Sequence, residues 1–288
     1  MSQILHHQAH SSPPGRVLHA RVDSPTPGHA SRLQRGPMPN GNHLDLSQAE
    51  TVLHGLTPTM NLSVGGQWIP AADLLAAPSI VAALVAEHAR IRSISVPRHA
   101  ASLFFQRYCH RLCSATLGVW VLTGMALDAS ARQVSVQIRD GSPAGVQFTG
   151  RLRPTHTPED LVSGLVEEHL LPLAAQLQGA ARLSQPQTWG NIAAALGMSA
   201  RTLSTVRPAA EVLRAVAPVF GTREVLQRLG SCRILEGPHG PRLFYDRASC
   251  CHWFEIPEGS YCSYCSRLTH EERTCRFIDA MAAETPTP

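Results

Sequence analysis

Apolar residues along this chain recur with helical spacing in some stretches and alternate as strands in others. Pro97 suits the first turn of a helix, and Ala101, Phe104, Phe105, Tyr108, Leu112 and Cys113 follow at intervals of three and four, with Arg107 and Arg111 on the opposite face. An earlier helix is predicted through Val81, Leu84 and Val85, with Ser79 as its cap. Val134, Val136 and Ile138 alternate with Ser135 and Gln137, Asp140-Gly141 turns the chain, and Val146 and Phe148 return, which predicts a hairpin. Thr157-Pro158-Glu159-Asp160 reads as cap, first-turn proline and two acids. The stripe Leu161, Val162, Leu165, Val166, Leu170 and Leu173 continues that helix, and Pro172 is expected to bend it. Helix is predicted again from about Gln187 to Arg228, broken near Gly197 and Pro208. Ile234-Leu235, the turn Gly237-Pro238-His239-Gly240, and Leu243-Phe244-Tyr245 predict a second hairpin. The fold class is helix-rich α+β: a single domain with antiparallel hairpins, ending in a loop of clustered cysteines. No internal repeat is visible.

Composition changes the picture at the ends. Residues 1–45 hold little apolar periodicity and are rich in Pro, Gly, Ser and His, so they read as a disordered leader. Residues 46–275 form the expected domain, with a cysteine-bearing segment at 246–268, and 276–288 the expected tail. All 25 basic residues are arginine, and the net charge of +4 is spread without a block that would track a phosphate backbone, so no nucleic-acid partner is indicated. The uncharged run from Leu112 stops at Asp128 and is too short to span a bilayer. No secretory signal is evident, so a cytoplasmic location is expected, with at most loose association with the inner membrane face. In that compartment eight cysteines point to metal or redox chemistry more than to disulfides.

The informative segment runs Asp246-Arg247-Ala248-Ser249-Cys250-Cys251, then ten residues, then Cys262-Ser263-Tyr264-Cys265. Four thiolates on a short loop are the ligand set of iron-sulfur clusters, and Pro257-Glu258-Gly259 favours a reversal that brings the two pairs face to face. A structural zinc site is the chemical competitor. Neighbouring side chains in extended backbone point apart, however, so Cys250 and Cys251 converge on one small ion only if the backbone twists sharply.

Cys-Cys, ten residues and Cys-x-x-Cys near the C-terminus resemble the ferric siderophore reductase family. The arginine ahead of the pair and the Pro-Glu-Gly turn fit that pattern, and weaker similarity extends through the Arg98–Leu112 helix, His169-Leu170 and Trp189-Gly190-Asn191-Ile192-Ala193. The resemblance implies a [2Fe-2S] cluster held by Cys250, Cys251, Cys262 and Cys265, with no catalytic residues beyond the cluster. It implies one-electron reduction of a ferric siderophore, with hydroxamate as the guessed type, and release of ferrous iron. A separate donor is implied, a ferredoxin or an NAD(P)H-dependent flavoprotein, since no Gly-x-Gly-x-x-Gly loop opens a βαβ unit. Arg247, Arg267 and Arg273 are candidates to offset thiolate charge, and Trp253, Phe254 and Tyr264 to exclude water, although each has an ordinary surface or core reading.

Other features point elsewhere. The 189–206 stretch reads like a helix-turn-helix with Gly197 at the turn, which would make the chain an iron-sulfur DNA-binding regulator; its second helix is poor in basic residues. Cys109 and Cys113 share a helix face and read as core thiols. Cys232 is expected to end a helix, Cys275 is a remote alternative ligand, and His252 is placed to tune the cluster.

Overall fold

The computed structural model describes residue 51 and residues 67–149, 152–154 and 157–284; the expected leader, residues 1–45, lies outside them. In chain order come β1 (Gln67–Pro70), α1 (Ala71–Ala76), α2 (Pro78–Ile91), α3 (Pro97–Thr123), β2 (Met125–Leu127), β3 (Val134–Arg139), β4 (Ser142–Phe148), β5 (Leu152–Pro154) and α4 (Pro158–Val162). A π-helical segment (Ser163–Leu170) runs into α5 (Leu171–Ala181), followed by α6 (Gln185–Leu203), α7 (Ala209–Gly221), α8 (Glu224–Arg228), β6 (Gly230–Leu235), β7 (Arg242–Arg247) and α9 (His270–Ala282). This is the helix-rich α+β architecture that the hydrophobic pattern predicts.

The core is built around α3. Pro97 opens it, and Gly124, left-handed at φ 71°, closes it with its N–H on the Trp120 carbonyl. Twenty-one of its residues are buried, and even Arg107 is only partly exposed, because α2, α6, β2 and β4 cover it on several sides. Against it lies α6, opened by a capping box in which Ser184 and Gln187 satisfy each other's backbone N–H. Small residues Ala193, Ala194, Ala195 and Ala200 let the two helices approach closely.

The first predicted hairpin is β3–β4, antiparallel, with Asp140 (φ 49°) and Gly141 (φ 63°) in the positive-φ turn such hairpins favour. β1 adds a third strand beside β3, pairing Trp68 with Gln137 and Ile69 with Val136. Four residues carry too little alternation to predict such a strand. β6 and β7 form the second hairpin and deliver the chain to the cysteines.

Several local expectations are corrected. Gly197 does not break the helix: α6 runs unbroken to Leu203, and the glycine is where Tyr245 of β7 packs, since a Cβ there would lie 2.3 Å from Tyr245 Cγ. The break comes only at Ser204–Pro208. With Gly197 inside one helix and residues 190–197 buried, no helix-turn-helix forms and none of that face is free to enter a DNA groove. Ala77 rather than Ser79 occupies the cap of α2, leaving Pro78 in its first turn. Cys232 lies in strand β6, not at a helix end, because the helix stops at Arg228 and Gly230 reverses the chain. The expected boundary at 275 falls inside α9, where Phe277 and Met281 are buried under the hairpin.

Thr157 caps α4 by accepting the Asp160 N–H at 3.2 Å. The bend expected at Pro172 is replaced by a change of register. The wider π turn ends at Leu170, so the proline, which lacks an N–H, stands in the first turn of α5. His169 of the π segment is buried, with Nδ1 2.7 Å from the Ala129 carbonyl and Nε2 2.6 Å from the Tyr108 hydroxyl. Nδ1–H therefore donates to the carbonyl and Nε2 accepts from Tyr108, a neutral tautomer. Burial lowers the imidazole pKa to about 4.

Two outcomes follow from these contacts. Between pH 6.5 and about 4 the unfolded chain takes up a proton at His169 that the folded chain refuses, so stability is full above that window and falls through it by roughly 1 kcal/mol per pH unit for this residue. Thermal unfolding across pH 7 to 5 measures the slope, which His169→Gln should make shallower. Gly197→Ala, a change that favours an isolated helix by about 1 kcal/mol, should instead lower the urea midpoint. It forces β7 off α6, and overpacking of this kind costs roughly 1–3 kcal/mol.

Candidate metal centre

The cysteine segment is tethered to the core through one buried arginine. Arg247, at the end of β7 and only 4% exposed, donates from Nη2 to Asn191 Oδ1 at 2.7 Å and from Nε to Ser249 Oγ at 3.3 Å. Asn191, on α6, in turn donates from Nδ2 to the Ser102 carbonyl of α3 at 3.0 Å and to Ser102 Oγ at 3.2 Å. The chain closes where Ser102 Oγ donates to the Cys251 carbonyl at 3.4 Å. Gly190 makes room for this docking, since a Cβ there would lie 1.9 Å from Ser249 Oγ. No carboxylate among the described residues pairs with Arg247; neighbouring Asp246 is taken by Arg233 at 2.5 Å and Arg273 at 3.7 Å. A buried guanidinium without an acid is costly unless other negative charge faces it. The thiols of Cys251 and Cys262 line the same cavity as Arg247.

All eight cysteines are free thiols. Cys251 and Cys265 are buried, and Cys250 and Cys262 are half-buried. The Ile256–Gly259 turn, closed by the Gly259 N–H on the Ile256 carbonyl at 2.8 Å, provides the expected reversal. Cys262 feels both Cys251 and Cys265: burial raises its pKa first and the Cys251 thiol next, while the Tyr264 N–H bonded to it and Arg247 pull the other way. The His252 N–H points to Cys250 Sγ at 3.4 Å. Backbone N–H groups thus face two of the four sulfurs, Cys250 and Cys262.

Four thiols are a donor set used both by two-iron centres and by closed one-metal sites. A tetrahedral zinc site built from four thiolates, with bonds of about 2.3 Å, holds every sulfur pair at about 3.8 Å. Among the described residues no three of these thiols come within 4.8 Å of one another; the one such group of potential ligands is His99, His252 and Glu255. Two irons offer separate positions and need no such convergence of three sulfurs.

Beside the thiols lies a cavity of about 370 Å³, lined by Cys251, Cys262, Trp253 and Tyr264 together with the basic residues His88, Arg92, Arg107 and Arg247. Within it neither His88 Nε2 nor Arg92 Nε has a hydrogen-bond partner among the described residues. Burial first and Arg92 next lower the His88 pKa to about 4. Burial, helped by Arg92, also lowers that of Arg107, while Glu258 opposes. Arg92 pairs with Glu258 of the cysteine loop at 3.1 Å, a second tie between loop and core.

The remaining sequence candidates separate clearly. Of the three arginines only Arg247 faces the thiols: Arg267 stacks over Phe254 at 5.3 Å, and Arg273 donates to the Arg247 carbonyl at 3.0 Å. Trp253 and Tyr264 line the cavity and pack on the core, whereas Phe254 packs against Tyr261. Cys109 and Cys113 are buried in α3, and burial raises both their pKa values, which marks them as core thiols. Cys275 is exposed on α9. Sequence reasoning placed no role on Asn191, Ser102 or His99; only the resemblance around Trp189–Ala193 hinted at the first.

Residues 102–229 are similar to the family model described as ferric iron reductase FhuF-like transporter. The match covers α3 through α8, the scaffold on which the cysteine segment docks, and ends before that segment begins. A comparison with curated proteins finds no match. This similarity supports a ferric iron reductase role. Among the described residues no helix is long and apolar enough to cross a membrane.

Asn191→Leu tests the tether. The substitution leaves Arg247 Nη2 buried without its acceptor, which should cost about 1–3 kcal/mol in denaturant unfolding. The same change made in an Arg247→Met background should cost markedly less, because the unpaired group is gone.

Proposed function

We propose that the chain is a ferric siderophore reductase in which Cys250, Cys251, Cys262 and Cys265 hold a [2Fe-2S] cluster. The observation that carries the reading is the buried, acid-free Arg247, which docks a four-cysteine loop onto the reductase-family scaffold and aims positive charge at its thiols. When bound, such a cluster supplies a one-electron couple, the quantity that separates ferric from ferrous iron. Arg247 and the N–H groups of His252 and Tyr264 stabilise the thiolates, and Trp253 and Tyr264 keep water from the inner side.

The acceptor is a ferric siderophore, of which a hydroxamate is our choice. Oxygen ligands of this kind hold ferric iron far more firmly than ferrous, so one electron added to the iron loosens the complex and frees the ion. Arg92 and Arg107, which line the cavity beside the thiols, offer donors to the acceptor's oxygens. Each turnover consumes one electron, supplied by a separate ferredoxin or NAD(P)H-dependent flavoprotein. We place the reaction in the cytoplasm, where the thiols stay reduced and such donors are found.

The test replaces each of the four cysteines by serine. Purified protein should carry two irons and two acid-labile sulfides per chain, both falling in every one of the four variants but not in Cys275→Ser. Dithionite-reduced protein given ferric hydroxamate should yield one trapped ferrous ion per chain, and the variants should yield less than a tenth of that. Colourless wild-type protein with one zinc per chain would refute the assignment.

A further inference from the structure

The cavity beside the thiols gathers more positive charge than its neighbouring acid offsets. The C-terminal end of α2 brings His88 to it, with Arg92 at the helix cap, and the middle of α3 brings Arg107. Among the described residues Glu258 is the only carboxylate paired with either arginine, and its contact is to Arg92 Nη1 at 3.1 Å. The carbonyl end of α2 accounts for a cation at Arg92. It does not account for Arg107, which stands inside a helix with no acid bonded to it among the described residues. These groups also repel one another. Arg92 and Arg107 add to the effect of burial in lowering the His88 pKa, and Arg92 adds to it in lowering that of Arg107.

Two buried atoms of the same group, His88 Nε2 and Arg92 Nε, have no hydrogen-bond partner among the described residues. The His88 ring is fully buried and fixed in place, with Nδ1 2.9 Å from Ser142 Oγ and its edge against Phe104 at 5.9 Å, so it does not swing out to water. The Ser142 hydroxyl either donates to Nδ1 or accepts from it, and Nε2 accordingly presents an N–H or a lone pair. Unpaired buried polar atoms and gathered like charge both cost stability, and one bound anion relieves both. Guanidinium forks match the paired oxygens of carboxylate and phosphate. The volume of about 370 Å³, walled in part by Leu103, Met198 and Trp253, is that of a pocket for a small organic molecule.

We propose that His88, Arg92 and Arg107 form a binding site for an oxyanion, a carboxylate or phosphate group, in the cavity that Cys251 and Cys262 also line. Arg107 supplies the fork, Arg92 adds charge while tied to Glu258, and His88 Nε2 donates to an ionised oxygen or accepts from a protonated one. That the natural occupant is a carboxylate carried by the ferric acceptor rests on the reductase reading; the existence of the site does not. On that reading the cavity favours a hydroxamate chelate that bears a spare carboxylate over one that does not, and holds it in the same cavity as the thiols.

The test is a calorimetric titration of the as-purified full chain with inorganic phosphate and, separately, with succinate, whose carboxylates lack the neighbouring hydroxyl that would strip iron. One site per chain is expected. Arg107→Gln should weaken the tighter of the two at least tenfold, and Arg107→Lys, which keeps the charge, should recover part of that loss, as a folding defect would not. Arg90→Gln, at an exposed arginine of α2 paired with Glu87, should leave affinity unchanged, which separates the cavity from general surface charge. Tighter binding of succinate upholds the site with a carboxylate as occupant, and tighter binding of phosphate upholds it with the free ion. Absence of binding by both probes, or equal binding by the wild type and Arg107→Gln, overturns the site. Oxyanion binding that depends on Arg107 in a chain unable to reduce ferric hydroxamate upholds the site and sinks the reductase reading; reduction of ferric hydroxamate by a chain that binds neither probe does the reverse.

Discussion

The arrangement depends on where the Arg247 guanidinium finds its negative charge. Buried between α3, α6 and the end of β7, it has an amide oxygen and a hydroxyl as acceptors and no carboxylate among the described residues. Removing a charge from water costs several kcal/mol that neutral acceptors offset only in part. Cys251 and Cys262 line the same cavity as this arginine, and on our proposal their sulfurs, as metal ligands, complete the balance. On that proposal, folding and metal binding are coupled at one residue.

The scaffold has features that make sense only with this loop in place. Gly190 and Gly197, two turns apart on α6, are each the point where a residue from the β7 end presses on the helix: Ser249 on the first, Tyr245 on the second. Larger residues at either position would push the hairpin outward and draw Arg247 away from Asn191. The family match stops before the cysteines, yet α6 inside it is shaped to receive them.

What was legible in the sequence was what is local. Pro97, Thr157 and the Asp140-Gly141 turn fix element ends by their own backbone chemistry, and all three behave as read. The turn between the two cysteine pairs was legible because Pro257-Glu258-Gly259 closes it locally. Tertiary contacts were not. Gly197 carries the signature of a break, and only the position of Tyr245, far along the chain, turns it into a packing site. Cys232 looked like a helix end because five-residue α8 gives too short a pattern to show where it stops. The His99–His252–Glu255 group joins residues more than a hundred and fifty positions apart, and Ser102, Asn191 and Arg247 join three elements, so neither leaves a mark in any single stretch.

The central claim is that these four thiols gather around two irons rather than one metal. X-ray absorption at the iron edge of the purified chain addresses it most directly. The account predicts a sulfur shell together with a second iron as a close neighbour of the first. A sulfur shell with no metal neighbour, or iron bound mainly by oxygen and nitrogen, would contradict it.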